Sequence, residues 1–410
     1  MIMKNSNLTR RRLLVSALIT VSLFWAAVGR AATVMNIEID YMVLTNGHSH
    51  RPQASEVAAV VQMFACHGIT LNIVISDALP HVNVMQRNAS GSFFGNSSTS
   101  GFLWYKNNYF DHNGQAGWHY CIFGHQYQDT DFTTTTSSGL GENGGDDFVV
   151  TLGAFTGQIG TPFDRASTLA HEFGHNLTLS HGQSGDYQPN KPSIMSYFYQ
   201  LRGVRTAMLD FGLTTEAVGL FKEMDYSEGR MIALNELALS EARGTGMTPV
   251  DWNCNGTISG NASVSLDSSR NWCSATSLDR TVLADVNEWA SLTDNTSGFK
   301  AVDLSKAPEV RCITAEEARK FESQFVSSQP SVVSEPCISA KMIYLTPGAL
   351  PAGNGTGGSP YTMVGLAHAA ATSGSHLIFL PGTYSIDTGP VILNKPMTLF
   401  SPVGTTVIKP

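Results

Sequence analysis

The chain has 410 residues, 42% of them hydrophobic and only 14% charged, with a net charge of −8. That length leaves room for two or three domains and a sizeable core. The acidic balance sets aside nucleic acid and anionic membrane surfaces as partners.

Lys4, Arg10, Arg11 and Arg12 precede an apolar run from Leu13 to Val28, and Gly29-Arg30-Ala31-Ala32 offers small residues for cleavage. Residues 1–32 therefore read as an export signal; Thr9 to Leu14 also resembles a twin-arginine leader. The apolar run is short for a span, and no later segment could cross a membrane. The expectation is an exported bacterial protein, periplasmic or extracellular, with no transmembrane segment after cleavage. Losing the five basic residues of the leader leaves 20 basic against 33 acidic residues, a net charge of −13.

Met35, Ile37, Ile39 and Tyr41 alternate with polar residues, which predicts a strand. Ser55 to Cys66 reads as a helix with Val57, Val60, Val61 and Phe64 inward and Gly68 as its stop. Ile69, Leu71, Ile73 and Ile75 predict a second strand, and residues 77–117, rich in Gly, Ser and Asn, a loop over a cleft. Trp118 to Phe123 and Asp147 to Leu152 are further strands. Thr161 and Asp164 form a capping box around Pro162, so a helix starts there. Phe163, Ala166, Ala170, Phe173 and Leu177 recur at helical spacing as its buried face.

His171, Glu172, Phe173, Gly174 and His175 follow on that helix. Residues four apart stack on one face, so His171 and His175 can aim at one metal ion. Zinc in catalytic sites takes three protein ligands and keeps a position for water, whose proton Glu172 can accept. The third candidate, His181, lies six residues on, about 240° around a continuous helix. The helix must therefore stop after His175 and turn back. Ser193-Ile194-Met195-Ser196-Tyr197 comes next, with Pro189 and Pro192 in the intervening loop.

The two motifs together resemble the metzincin clan of zinc proteases, and Ser193 to Tyr197 is similar in wording to the Met-turn of serralysins and astacins. The resemblance spans residues 33 to roughly 300 and is strong only from about 146 to 200. It implies a metzincin-like α/β (α+β) catalytic domain with an active-site helix and a Met-turn. It implies zinc on His171, His175 and His181, Glu172 as general base, Met195 beneath the metal, and Tyr197 as ligand or stabiliser of the tetrahedral intermediate. Clan members carry glycine three residues after the second histidine; here that residue is Thr178, a β-branched side chain where positive φ is expected. In metzincins a strand along the cleft docks the substrate, and Trp118 to Phe123 holds that place in the chain order. Asp225-Tyr226-Ser227, Leu234-Asn235-Glu236, Val250 to Asn253 and Asp285 to Leu292 look like patterns of uncharacterised bacterial metzincin-like proteins. No cysteine-switch propeptide pattern is present.

Asp251, Asn253, Asn255, Gly256 and Ile258 copy the first half of a calcium loop, but the twelfth position is Ala262. An Asx-rich turn is the preferred reading and calcium the alternative. The cysteines Cys66, Cys121, Cys254, Cys273, Cys312 and Cys337 suit three disulfides in an exported chain. Nearest-neighbour pairing, 66–121, 254–273 and 312–337, is favoured among fifteen arrangements. Residues 305–340 read as a linker with a short helix begun by the Thr314–Glu317 capping box. In residues 341–410, a Gly-rich stretch, a small-residue helix from Thr362 to Thr372, and Pro381-Gly382-Thr383-Tyr384 resemble the start of a pectate-lyase-type parallel β-helix, cut short.

The domain reading is thus a signal at 1–32, a metzincin-like peptidase domain at 33–304, a linker at 305–340 and a β-helix-like segment at 341–410. The functional expectation is an exported zinc metalloendopeptidase acting on protein or peptide substrates. The alternative is a non-catalytic, zinc-stabilised adhesin or scaffold that presents the tail to a glycan. The tail's unpaired strand edges also suggest self-association.

Overall fold

The computed structural model describes residues 33–215, 218, 221–246, 248–277, 279–296, 307–322, 342–347, 360–371, 375–379, 382–385, 395, 397–400 and 406–409. The signal at 1–32 and the linker beyond residue 322 lie outside the described residues.

The first strand, β1 (Thr33–Val43), buries Met35, Ile37 and Ile39, as their alternation predicts. Its opposite face is buried too. Glu38 accepts the Asp111 N–H at 2.9 Å, and Asp40 accepts the Tyr120 hydroxyl at 2.7 Å and the Asp77 N–H at 2.8 Å. Both faces are covered because β1 is an inner strand of a mostly parallel sheet. Burial pushes the Asp40 carboxyl up to about 6. Helix α1 (Ala54–Ala65) starts at a Gln53–Glu56 capping box and buries Val60, Met63 and Phe64; Gly68, at φ 75°, follows its end. Strand β2 (Ile69–Pro80) pairs parallel with β1. Part of the expected cleft loop is instead helix α2 (Phe102–Tyr109), and Phe102 and Tyr105 pack with Phe93, Phe94 and Phe110 on the face of the sheet that carries Tyr120 and Ile122.

Strands β3 (Trp118–Gly124), β4 (Gly139–Glu142) and β5 (Asp147–Thr151) lead into helix α3 (Pro162–Asn176). The capping box forms as expected: Asp164 N–H donates to Thr161 Oγ1 at 3.1 Å, and Thr161 N–H to Asp164 Oδ2 at 2.8 Å. Arg165 pairs with Glu56 in the interior and clips α3 to α1.

Below α3 the chain is mostly loop. It holds α4 (Val204–Asp210), α5 (Glu288–Ser291) and four two-residue strands: β6 (Leu234–Asn235), β7 (Leu239–Ser240), β8 (Asn261–Ala262) and β9 (Val282–Leu283). These pair antiparallel as β6–β9 and β7–β8. Cys254 and Cys273 form the expected disulfide. The other two favoured pairings are wrong. Cys121 and Cys312 are free, buried thiols, and Cys66 is disulfide-bonded. Cys121 is locked inside β3, and Cys312 is turned toward α3, so nearness in sequence did not decide the pairing.

Strand β10 (Glu309–Arg311) returns to the sheet, whose order is β10-β4-β5-β3-β1-β2. The stretch expected to be linker thus supplies an outermost strand, followed by α6 (Ala315–Glu322) behind the expected Thr314–Glu317 box. Beyond it come β11 (Met342–Leu345), α7 (Val364–Ala370), β12 (Ser375–Phe379), β13 (Gly382–Ser385), β14 (Met397–Phe400) and β15 (Thr406–Lys409). Among the described residues here the strands pair parallel, β11–β12–β14 and β13–β15. Among the described residues no helix is long and apolar enough to cross a membrane.

Candidate metal centre

Helix α3 carries His171 and His175 one turn apart, both fully buried. It stops at Asn176. Thr178 sits beyond the end with φ 72°, its N–H bonded to His175 O at 2.9 Å, and Leu179 N–H reaches back to Gly174 O at 2.9 Å. These bonds satisfy the last carbonyls of the helix in a left-handed cap that glycine normally supplies. The chain then reverses and delivers His181 to the other two. Continuing the helix would have carried His181 to the far side.

Three Nε2 atoms converge. His175 Nε2 lies 3.1 Å from His171 Nε2 and 3.0 Å from His181 Nε2. Tetrahedral zinc with nitrogens at 2.0–2.1 Å sets its ligands about 3.3 Å apart. Each Nδ1 is anchored elsewhere: on Ile194 O at 2.7 Å, on Leu179 O at 2.8 Å, and on Asp186 Oδ1 at 2.9 Å, for His171, His175 and His181 in turn. An N–H spent on those oxygens leaves a lone pair on Nε2, as a metal requires. Burial, with the neighbouring imidazoles, holds His171 and His175 well below the usual histidine range and so neutral. These histidines can hold a metal ion.

Glu172 is fully buried beside them, and neither carboxylate oxygen has a hydrogen-bond partner of normal geometry. Burial pushes its pKa well above the ordinary carboxylate value, against the opposing influence of the Cys312 thiol that faces it. An orphaned carboxylate costs several kcal/mol in a structural core, and a water held between it and a metal would satisfy it. Met195 packs under α3: a Cβ added to Gly174 would lie 2.5 Å from its sulfur. The Tyr197 ring lies 4.2 Å from that of His181, and its hydroxyl donates to Arg311 O.

Two participants carry no local signal in the sequence. One is strand β4. Gly139 passes so close to Glu172 that a Cβ there would sit 2.1 Å from Oε1. The docking strand expected at Trp118 to Phe123 is excluded, because β3 lies between β5 and β1 with both edges paired. The strand beside the histidines is β4, and its outer edge is covered by β10 in antiparallel register, Glu309 against Glu142 and Arg311 against Leu140. The ladder continues through Cys312 N–H to Gly139 O at 3.3 Å and Ser138 N–H to Ile313 O at 2.8 Å. The other is Cys312. Its sulfur lies within 4.8 Å of the ligand nitrogens of all three histidines, so it completes a four-donor set. The Asp251 carboxylate, by contrast, is taken up by the N–H groups of Asn255 and Gly256 at 3.2 and 2.7 Å, as in an Asx-rich turn.

No protein-family model and no curated protein matches the chain. A solved structure, metalloproteinase-II from Bacteroides fragilis, is similar at 17% identity with a TM-score of 0.24, over 37% of this chain and 43% of that one. The chain therefore spans under half of that protein's length. A likeness this distant leaves the chemistry to be read from the chain's own residues.

Proposed function

We propose that the chain is a zinc metalloendopeptidase. The observation that carries this is the convergence of three Nε2 lone pairs, each fixed by an anchored Nδ1, beside the unpartnered carboxylate of Glu172. His171, His175 and His181 would hold the metal. Bound zinc would supply Lewis acidity and lower the pKa of a water to about 7. Glu172, its basicity raised by burial, accepts the proton of the attacking water and passes it to the leaving amine. The Tyr197 hydroxyl, directed in this form at the Arg311 carbonyl, donates to the developing oxyanion of a peptide in the same position. A substrate adds as an antiparallel strand along β4, so main-chain bonds orient the scissile carbonyl. Met195 supports α3 from below.

The form described is closed. Residues 309–313 occupy the strand position a substrate would take, with Cys312 turned toward the histidines and Glu172. Cleavage therefore requires this segment to leave. The leader and the Cys254–Cys273 disulfide support export to an oxidising compartment. The parallel pairing of β11, β12 and β14 supports a tail that begins a parallel β-helix. The alternative of a scaffold without activity is disfavoured by Glu172, for which a purely structural metal site has no use. The test is metal analysis with a peptide-library digest, run beside Glu172→Ala. Zinc with Glu172-dependent cleavage supports the reading; zinc without any cleavage, in Cys312→Ala as well as in the wild type, favours the scaffold.

A further inference from the structure

A second group of histidines lies at the carboxyl ends of three adjacent parallel strands. His48 and His50 sit in the turn after β1, His81 directly follows β2, and His125 directly follows β3. The sheet order places β1 between the other two, so residues 31 and 75 positions from His50 in sequence meet at one point. The turn is tight: Leu44 N–H bonds His48 O at 2.8 Å, and His50 N–H bonds Met42 O at 2.9 Å. This returns His50 to the sheet, where it is buried, while the other three rings are half-buried.

His50 Nε2 lies 3.2 Å from His48 Nε2, 3.4 Å from His81 Nε2 and 3.3 Å from His125 Nδ1. All four nitrogens lie within 4.8 Å of one another. Hydrogen bonding does not account for this. A ring nitrogen carries either one proton or one lone pair, so His50 Nε2 can pair properly with one neighbour while the others face it unmatched. A single cation among the four nitrogens satisfies every contact, and the spacings around His50 match the roughly 3.3 Å edge of a tetrahedron of imidazoles on a first-row metal.

We infer that His48, His50, His81 and His125 form a second metal site that takes a divalent transition-metal ion, zinc foremost, in an all-nitrogen set. Four neutral imidazoles select zinc, copper or nickel over calcium and magnesium, which take oxygen donors. Four protein ligands leave no position for a reacting water, so the site is structural. It ties the ends of β1, β2 and β3 together. The inference stands apart from the peptidase reading, since it uses none of the same residues.

Metal content measured by mass spectrometry on the purified full-length chain tests it. Two equivalents are expected in the wild type. His48→Ala/His81→Ala should hold one, with any peptidase turnover unchanged. His171→Ala/His175→Ala should also hold one, and cobalt in that variant should show the visible absorption of a tetrahedral nitrogen site. An unchanged metal count in folded His48→Ala/His81→Ala overturns the inference. So does a folded His171→Ala/His175→Ala that binds neither zinc nor cobalt, which keeps the test decisive if the first variant fails to fold. Loss of metal from the His48 pair alone, with none lost from the His171 pair, would sustain this site and sink the peptidase site.

Discussion

Replacing Cys312 with alanine should switch the enzyme on. The segment bearing it is held to the sheet beside β4 by Asn143 N–H to Pro308 O at 2.7 Å, Cys312 N–H to Gly139 O at 3.3 Å, Ser138 N–H to Ile313 O at 2.8 Å and Ala315 N–H to Thr136 O at 2.8 Å. At about 1 kcal/mol net each, these four bonds contribute roughly 4 kcal/mol, beside the β10–β4 ladder, the Arg87–Glu309 ion pair and the Tyr197 hydroxyl on Arg311 O, so the open form is well under about one molecule in a thousand. The thiol adds its contact with Glu172 and, when metal is bound, a fourth donor. A contact between two neutral groups contributes at most about 0.5–1.5 kcal/mol, so Cys312→Ala should raise the open fraction roughly 2- to 10-fold, and further where the thiol would also be a metal ligand. The assay is turnover of a quenched fluorescent peptide, with zinc content and melting temperature measured on the same samples. A folded, zinc-loaded Cys312→Ala that cleaves no faster than the wild type would refute the closed-cleft argument.

Glu172→Gln should keep its zinc and lose on the order of 10²–10⁴ in turnover, the usual worth of a positioned base; retained turnover at equal zinc would remove Glu172 from the chemistry. Thr178→Gly should relieve a β-branched residue from φ 72° and stabilise by roughly 1 kcal/mol, about 2–4 °C in melting temperature. Gly174→Ala sets a methyl 2.5 Å from Met195 Sδ and 3.1 Å from Tyr226 Oη, and should destabilise by about 1–3 kcal/mol, read as a lower melting temperature. The raised pKa of Asp40, from 3.8 to about 6, fixes the sign of a pH effect. Between those values the folded state binds the extra proton, so this group's contribution is full below about 4 and is lost as pH rises through 6, by about 3 kcal/mol. Asp40→Asn should flatten denaturant midpoints over that window; an unchanged slope would mean that Asp40 titrates normally.

The local features were legible because their signals are local. The Thr161–Asp164 box, the stop at Gly68, the spacing of His171 and His175 and the need for a break before His181 all follow from helix geometry within a few residues. What could not be read was fixed by pairing across long separations. Gly139 and Cys312 are 173 positions apart in the numbering, and only the antiparallel return of β10 puts the thiol beside Glu172. Chain order suggested β3 as the docking strand, but sheet order put it in the interior and left β4 beside the histidines. Two of the three nearest-neighbour disulfides, 66–121 and 312–337, do not form for the same reason: Cys121 and Cys312 are buried as free thiols in the core, and only Cys254–Cys273 forms as nearness in sequence suggests. The His48 group carries no local sequence pattern because three separate strand ends contribute to it.

The most direct measurement is peptide cleavage by zinc-loaded Cys312→Ala compared with zinc-loaded Cys312→Ala/Glu172→Ala. Opening the cleft and then removing the base isolates the claim that three histidines and Glu172 hydrolyse peptide bonds. Cleavage by the first and none by the second, at equal zinc content, is the expected result. Equal rates in both, or no cleavage in either despite full zinc occupancy, would contradict it.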